Sequence, residues 1–252
     1  MPKTAQLDHV VINAREQMDL AEAETKDLGF IVTPRGYHTL GSINHLMILG
    51  TDYLELLGTP EGKGDARPEL AAAPLGLNGL VFKTENVDDT FAHLQAIGMA
   101  GDPPRAFSRP VDLGGSEQDA KFRTVTVRPD VFPYGRIYFC EHGTPELVWR
   151  PEWQGHANGS RSMPEMVIVA EDPSAEADKY ARLLQAPAES DTVAIDGFKL
   201  TMLSPEAYRG RYGDLACDMA GRSAMFGSIV VQASAAKTVR MPSFDTLYEF
   251  IA

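Results

Sequence analysis

The stretch Leu7-Asp8-His9-Val10-Val11-Ile12 is a short apolar strand that carries one histidine, and the chain repeats its pattern. The pattern returns at residues 77–82, at residues 165–169 and, more faintly, at residues 227–231. Each of the first three copies runs into a polar break and then into a segment of helical period. In the first copy, this period is carried by Met18, Ala21, Thr25 and Leu28. A strand–helix unit that recurs within one chain indicates a fold built from repeated modules.

The elements that follow each copy predict modules of the order βαβββ. In the first module, the later strands include a hairpin of residues 45–49 and 53–57. The second module is predicted to contain a strand at 77–82, a helix at about 87–97, a Gly/Pro-rich excursion at 101–115, and strands at 122–127, 136–140 and 146–149. A third unit begins and then loses the pattern. We therefore predict an α+β fold, with paired βαβββ modules in residues 1–155 and a degenerate, structural third and fourth module in residues 156–252.

Composition excludes several classes of protein. The 252 residues are 44% hydrophobic and carry a net charge of −12, which argues against a nucleic-acid or anionic-membrane partner. No apolar run approaches the roughly 20 residues of a membrane helix, and residues 1–6 enter the first strand without room for a signal peptide. Cys140 and Cys217 are too few for a disulfide scaffold. We expect a cytoplasmic protein with free thiols; a homodimer is a further expectation.

Three stretches resemble the vicinal oxygen chelate superfamily and, within it, the glyoxalase-like branch. They are Leu7–Val11, the segment Gly41–His45 followed by Tyr53–Leu56, and His142–Pro151. The resemblance covers residues 1 to about 155 well and the remainder loosely. It implies a glyoxalase/dihydroxybiphenyl dioxygenase-like fold, in which paired modules form a curled mixed sheet around an open cavity. It also implies a divalent metal in that cavity and a small-molecule substrate that chelates the metal through adjacent oxygens.

By position, the resemblance implies four metal-ligating places, which here are His9, Glu55, Gly79 and Glu146. Glycine has no donor atom, so His9, Glu55 and Glu146 remain as the expected ligands. One imidazole and two carboxylates suit Mn²⁺, Mg²⁺, Fe²⁺ or, less well, Zn²⁺. The missing second imidazole argues against ring-cleaving dioxygenase activity. It also leaves space at Gly79 for a substrate oxygen or a water.

The residues themselves leave alternatives open. In a regular strand His9 shares a face with Leu7 and Val11, where a lone histidine is a core residue as readily as a ligand. Glu55 and Glu146 lie among apolar neighbours on predicted strands. Their carboxylates face either water or a cavity that holds a cation, because burial without a partner costs several kcal/mol.

The register of the hairpin determines which residue accompanies Glu55 in the cavity. A three-residue loop places His45 on the face of Glu55, whereas a two-residue loop places Asn44 there, so both are candidates for substrate binding. His142 stands in a turn-like segment shortly before Glu146. It is a candidate metal ligand or general base, or it hydrogen-bonds only its own turn.

Arg105, Arg109 and Arg123 flank the excursion at 101–115. Loops over a cavity often carry specificity groups, and an arginine there suits a carboxylate or a phosphate. We expect at least one of the three to point into the cavity, with Arg109 and Arg123 as candidates for substrate binding. The alternative for each is a solvated surface charge.

Two functions are compatible with these features. The first is a metal-dependent lyase, isomerase or hydrolase that acts on a small oxygenated metabolite, with Glu146 and His142 as candidate catalytic groups. The second is a non-catalytic protein that binds a small molecule in the same cavity without metal, which the glycine at position 79 favours. Gly-x-Ser-x-Gly is absent from the sequence, which argues against a serine hydrolase.

Overall fold

A computed structural model of the chain describes residues 5–241 and 243–252. The expectation about a signal peptide rests largely on residues 1–4, which lie outside this range. The first module comprises β1 (Leu7–Arg15), α1 (Met18–Asp27), β2 (Gly36–Tyr37), β3 (Ile43–Ile48) and β4 (Tyr53–Gly58). After the short helix α2 (Pro68–Ala72), the second module comprises β5 (Gly76–Lys83), α3 (Val87–Ala96), β6 (Arg105–Asp112), β7 (Glu117–Thr126) and β8 (Arg136–His142).

The third module keeps the full βαβββ order. It comprises β9 (Ser162–Ala170), α4 (Pro173–Leu184), β10 (Ala188–Glu189), β11 (Thr192–Ile195) and β12 (Phe198–Leu203). Helix α5 (Pro205–Tyr212) then leads to the fourth module, which consists of β13 (Ala224–Gln232), β14 (Lys237–Met241) and β15 (Thr246–Ile251). The third module therefore does not lose the pattern. The fourth module is reduced, because the described part of its chain holds no helix between its first two strands.

Two mixed sheets result, and both have the same layout. The eight-stranded sheet runs β2-β3-β4-β1-β5-β8-β7-β6, and the seven-stranded sheet runs β10-β11-β12-β9-β13-β15-β14. Each module pairs its first and last strands in parallel, and the two modules of a sheet meet through antiparallel first strands, β1 with β5 and β9 with β13. The predicted α+β fold of paired modules with a curled mixed sheet is confirmed.

The first sheet curls until its two ends meet. Thr39, which follows β2, donates its backbone N–H to the carbonyl of Ser108 in β6 at 3.1 Å, so the outer strands of both modules are joined. The opposite faces of the two sheets and the helices share one large apolar core, which includes Phe82, Phe139 and Phe226. The concave face of the first sheet is thereby left to enclose a cavity.

The predicted helices form where the helical spacing of apolar residues follows a residue that can cap the helix N-terminus. The side chain of Asn86 accepts from the backbone N–H groups of Asp88 and Asp89 at the start of α3. Asp172 and Ser204 cap α4 and α5 in the same way. No helix among residues 5–241 and 243–252 is long and apolar enough to cross a membrane.

Two predictions for the second module are wrong. The excursion at 101–115 contains a regular edge strand, β6, which tolerates Pro110 because an edge strand can lack one hydrogen-bond donor. Residues 146–149 do not form a closing strand. Pro145–Leu147 is a single turn of 3₁₀ helix, started by a proline whose fixed φ suits a helical turn, and β8 is the last strand of its module.

Candidate functional site

The curled first sheet encloses a cavity of about 540 Å³. Six strands, β1, β3, β4, β6, β7 and β8, contribute side chains to its lining. The polar inward residues include His9 of β1, Asn44 of β3, Glu55 of β4 and Arg109 of β6, together with Arg136 and Tyr138 of β8. Apolar walls come from Leu46, Leu57, Phe107, Phe122 and Ile137. Both modules thus contribute to one polar centre with apolar surroundings.

A β-bulge at Asp8 interrupts the regular alternation of side chains between the two faces of β1. Leu7 lies opposite Phe82 and His9 opposite Val81, so Asp8 is an extra residue without a partner on β5. The bulge puts Leu7 in the large core on the other face, and it leaves Asp8 beside His9. The expectation that Leu7 shares the face of His9 is therefore wrong, and a buried carboxylate accompanies the histidine instead.

The Asp8 carboxylate bridges two imidazoles. One oxygen is 2.5 Å from Nδ1 of His9, and the other is 2.8 Å from Nε2 of His142, which ends β8. Burial raises the pKa of Asp8, but the contacts with His142 and His9 outweigh burial and hold the pKa below its usual range. An ionised carboxylate only accepts hydrogen bonds, so Nδ1 of His9 carries the proton that faces Asp8, and Nε2 is the ring nitrogen that faces the cavity.

Two more groups converge on Nε2 of His9. An oxygen of Glu55 lies 3.5 Å away and the hydroxyl of Tyr138 lies 3.2 Å away. The ring of His9 is fixed by stacking on Tyr53, with 4.4 Å between ring centroids. Burial first, and then the negative charge of Glu55, raises the pKa of Tyr138 well above its ordinary value, so its hydroxyl is protonated. The site thus contains an oriented imidazole, a carboxylate and a phenol.

Asn44 orients the carboxylate of this group. It donates through Nδ2 to Oε1 of Glu55 at 2.6 Å, which leaves Oε2 to face His9. In the observed register Leu46 lies opposite Glu55, so Asn44 and Leu46 share its face. His45 points the other way, with Nδ1 at 2.7 Å from the carbonyl of Thr33, and it does not line the cavity, so the structure does not support its predicted part in substrate binding.

The register also identifies the counterparts of His9 and Glu55 in the second module. His9 lies opposite Val81 and Gly79 opposite Val11, so His9 and Gly79 hold equivalent positions. Glu55 is next to Val11 in the parallel pair, and Tyr138 is next to Val81 in the same way. The fourth position of the site therefore belongs to Tyr138 of β8 and not to Glu146. The side chain of Glu146 is exposed on the 3₁₀ turn and does not line the cavity.

Of the other candidates, His142 reaches the site only through Asp8. Its Nε2 is bonded to the Asp8 carboxylate, and its ring packs against Phe122 and Trp149. Arg123 lies outside the cavity, where it pairs with Asp88 of α3 at 3.0 Å, so the structure does not support its predicted role in substrate binding. Arg109 is buried and lines the cavity, and its role in binding stays a prediction.

Sequence reasoning missed three groups of this site. Asp8 required knowledge of the bulge, and Tyr138 required the register between β5 and β8. His38, which no sequence pattern singled out, lines the cavity and shares a hydrogen bond of 2.9 Å between Nδ1 and the hydroxyl of Ser42. Burial lowers the pKa of His38 to about 4, so this imidazole is neutral near pH 7.

Position 79 has no room for a side chain, because β5 packs closely against β1 there; space for a substrate oxygen or a water stays a prediction. A Cβ on Gly79 would lie 2.9 Å from both Cβ and Cγ2 of Val11, which is too close for either atom. We expect Gly79→His to lose about 1–3 kcal/mol of unfolding free energy through overpacking, and to gain no metal affinity. Chemical denaturation and metal titration measure the two effects.

The matched control for that variant is Gly210→Ala in α5, where an added Cβ meets no atom within 4 Å. This control is expected to keep or slightly raise stability, because alanine favours a helix. A Gly79→His protein as stable as the wild type would contradict the close contact with Val11.

The second sheet repeats the four positions with different side chains. The register makes Glu165, Thr201, Ser228 and Glu249 the equivalents of His9, Glu55, Gly79 and Tyr138. The counterpart of His9 in the third module is therefore Glu165. Here the concave face is filled by α5, whose Arg211 reaches Glu165 at 3.0 Å and Glu249 at 2.8 Å. Its Tyr212 hydroxyl bonds Ser228 and Glu249.

Comparisons with known proteins agree with this architecture. The sequence family described as "Glyoxalase-like domain" matches residues 7–184. A hypothetical protein from Staphylococcus aureus superposes with a TM-score of 0.68 at 12% identity, covering 98% of this chain and 99% of its own. A triple mutant of 4-hydroxymandelate synthase from Streptomyces coelicolor gives a TM-score of 0.60 at 12% identity, covering 99% of this chain and 92% of its own.

A single-site variant of methylmalonyl-CoA epimerase from the same Streptomyces species, bound to 2-nitronate-propionyl-CoA, covers 56% of this chain and 96% of its own, with 20% identity and a TM-score of 0.43. At these identities the likenesses to solved structures show the fold alone. A search of the curated proteins found no match.

Proposed function

The chain belongs to the glyoxalase-like domain family, and from this premise we propose that it is a lyase or isomerase that moves a proton on a small oxygenated metabolite. One observation carries the proposal: Asp8, His9, Glu55 and Tyr138 converge on the cavity of the first sheet. In this group a carboxylate fixes the imidazole, and a second carboxylate stands beside a protonated phenol. A carboxylate that can accept a proton beside a hydroxyl that can donate one is suited to acid–base chemistry.

The donor set fits a divalent metal through His9 and Glu55. The Nε2 atom of His9 faces the cavity because Asp8 holds Nδ1, which is the arrangement that carboxylates impose on metal-binding histidines. Oε2 of Glu55, 3.5 Å from that atom, would be the second protein donor. When bound, such an ion would supply Lewis-acid polarisation of a substrate oxygen. Glu146 has no part in this set.

Proton transfer is assigned to Glu55 and Tyr138. Oε1 of Glu55 is held by Asn44, so Oε2 would accept a proton from the substrate when it is not bound to the ion. The Tyr138 hydroxyl, which burial keeps protonated, is placed to donate to the substrate oxygen or carbon that becomes basic. Phe107 and Phe122 are among the apolar side chains that form the walls of the same cavity.

The proposal is tested by proton exchange. In D₂O, the wild-type protein is expected to exchange the acidic C–H of its substrate among a panel of 2-hydroxy and 2-oxo acids followed by proton NMR. Glu55→Gln is expected to lower the exchange rate by about 10²–10⁴-fold, and Tyr138→Phe should also slow it. The control is Asp102→Asn at the exposed edge of the same cavity, which should leave the rate unchanged.

The metal is tested separately by elemental analysis and titration. Asp8→Asn leaves His9 in place but removes the charge that orients it, so metal affinity is expected to fall about 10–100-fold. His9→Gln should abolish binding. Full exchange activity in Glu55→Gln would contradict the assigned proton acceptor, whereas unchanged metal affinity in His9→Gln would contradict the assigned ligand.

A second candidate function is a small-molecule binding protein without catalysis. Gly79 and Tyr138 favour it, because the second module offers no imidazole or carboxylate at the two positions equivalent to His9 and Glu55. A protein that binds an anion but shows neither metal affinity nor exchange would support this candidate. The predicted homodimer and cytoplasmic location stay predictions; light scattering would measure the oligomeric state.

A further inference from the structure

Arg109 is a buried cation that points into the cavity without an anionic partner. Its residue is 4% exposed, and its Nη2 atom is buried without a hydrogen-bond partner among the described residues. Gly36 makes room for it: a Cβ at that position would lie 3.0 Å from Cδ of Arg109 and 2.3 Å from Oδ1 of Asn44. The backbone therefore leaves room for a guanidinium that forms no ion pair with the described residues.

Of the carboxylates that line the cavity, Asp102 is exposed at its edge, and the other two are engaged by other groups. Glu55 holds Asn44 and faces His9, and Glu69 pairs with Arg67. No carboxylate of the described residues forms an ion pair with Arg109. Taking a charge out of water costs several kcal/mol unless a partner compensates it. An uncompensated guanidinium in a cavity is thus explained by a partner that arrives from solution.

A second arginine has the same property. Nε and Nη2 of Arg136, on β8, are buried and have no hydrogen-bond partner among the described residues. Arg136 lines the same cavity, close to Tyr138, with its guanidinium carbon 6.0 Å from the centre of that ring. In a chain of net charge −12, two unpaired arginines in one cavity mark a local preference for anions.

We infer that the substrate is an organic acid whose carboxylate pairs with Arg109, with Arg136 binding a second acceptor group. The inference rests on the proposed function for the reacting end of the substrate, since Arg109 lies near Asn44 and Glu55. A guanidinium binds a carboxylate through two parallel hydrogen bonds, which fixes the orientation of the acid. The carbon skeleton then lies against Phe107, Phe122 and Ile137.

The test uses malonate as the anionic probe, malonamide as its neutral counterpart and inorganic phosphate as the alternative anion. Thermal melting and isothermal titration at constant ionic strength measure binding without turnover. We expect malonate, but not malonamide, to raise the melting temperature of the wild type. Arg109→Met is expected to weaken malonate binding at least tenfold, with Arg109→Lys in between. Arg123→Met, outside the cavity, is the matched control and should bind like the wild type.

The stability of the unliganded variants gives a readout that needs no ligand. Because Arg109 is buried without a partner, Arg109→Met should melt no lower than the wild type. A lower melting temperature together with an unchanged malonate response would assign Arg109 a structural role and overturn the inference. Equal responses to malonate and malonamide, or no response to malonate or phosphate, would also overturn it.

If phosphate binds more tightly than malonate and this binding depends on Arg109, then the substrate group that pairs with Arg109 is a phosphate and not a carboxylate. Glu55→Gln separates this inference from the proposed function. That variant should still bind malonate even if it no longer exchanges protons. A loss of proton exchange alone would therefore not count against the anion site at Arg109.

Discussion

Arg211→Met is expected to lower the unfolding free energy by about 2–4 kcal/mol at pH 7, because it removes the cation that two carboxylates of the second sheet share. Arg211 reaches Glu165 at 3.0 Å and Glu249 at 2.8 Å, and its own side chain is only 29% exposed. Lys199, at 3.2 Å from Glu165, remains, so the loss should be partial. Urea denaturation measures the change.

The loss should depend on pH in a defined direction. Burial raises the pKa of Glu165, but the hydrogen bond from Arg211 and further contacts outweigh burial and lower it. A carboxyl whose pKa is lower in the folded state contributes stability above its unfolded pKa and loses it as pH falls. The difference between variant and wild type should therefore be largest near pH 7 and shrink towards acidic pH.

The matched control is Arg209→Met, an exposed arginine on the same helix, which should cost little. Millimolar Mg²⁺ or Ca²⁺ should raise the melting temperature of Arg211→Met more than that of the wild type, since hard cations bind carboxylate oxygens. An Arg211→Met variant as stable as the wild type at pH 7 would show that Glu165 and Glu249 do not need the charge of Arg211.

Asp52→Asn is expected to stabilise the protein by up to about 4 kcal/mol at pH 8 and to change little at pH 4. Asp52 ends the turn between β3 and β4, is 5% exposed, and has a buried Oδ1 without a hydrogen-bond partner among the described residues. Burial raises the pKa of Asp52 to about 7. A rise of roughly 3 pH units above an ordinary carboxyl corresponds to about 4 kcal/mol.

The sign follows from proton binding. The folded state holds a proton on Asp52 between about pH 4 and pH 7, where the unfolded state has released it, so stability falls as pH rises through this window. Asparagine stays neutral and avoids the loss. Thermal melting from pH 4 to pH 8 measures the effect, with exposed Asp119→Asn on β7 as the control. An equal gain at both ends of the pH range would contradict the raised pKa.

Local sequence patterns predicted much of the first sheet. The apolar strand at Leu7–Ile12 and the helical period after it correspond to β1 and α1, and the same pattern predicted β5 and α3. These elements could be predicted because their side-chain period follows directly from which face is buried. His9, Asn44, Glu55 and Arg109, all candidates from the sequence, line the observed cavity.

Other predictions failed where a single residue changed the local geometry. Pro145 turned the segment of Glu146 into a 3₁₀ turn and removed that carboxylate from the site. His45 and Asn44 differ by one position, and only the pairing of β3 with β4 determined that Asn44 faces the cavity. A shift of one residue reverses the face of a strand, and sequence alone does not specify that shift.

The sequence by itself determined the module pattern, the acidic character of the chain and the absence of a donor at Gly79. Only the tertiary structure decided that Asp8 bridges His9 and His142, that Tyr138 takes the fourth position, and that Arg211 fills the corresponding place in the second sheet. The physical reason is that the periodicity of apolar side chains is a property of one short segment. Bulges, strand register and the packing of α5 against the second sheet instead depend on strands that are far apart in the chain. A carboxylate such as Asp8 acquires its role from partners 1 and 134 residues away, and the sequence does not encode that distance in any local pattern.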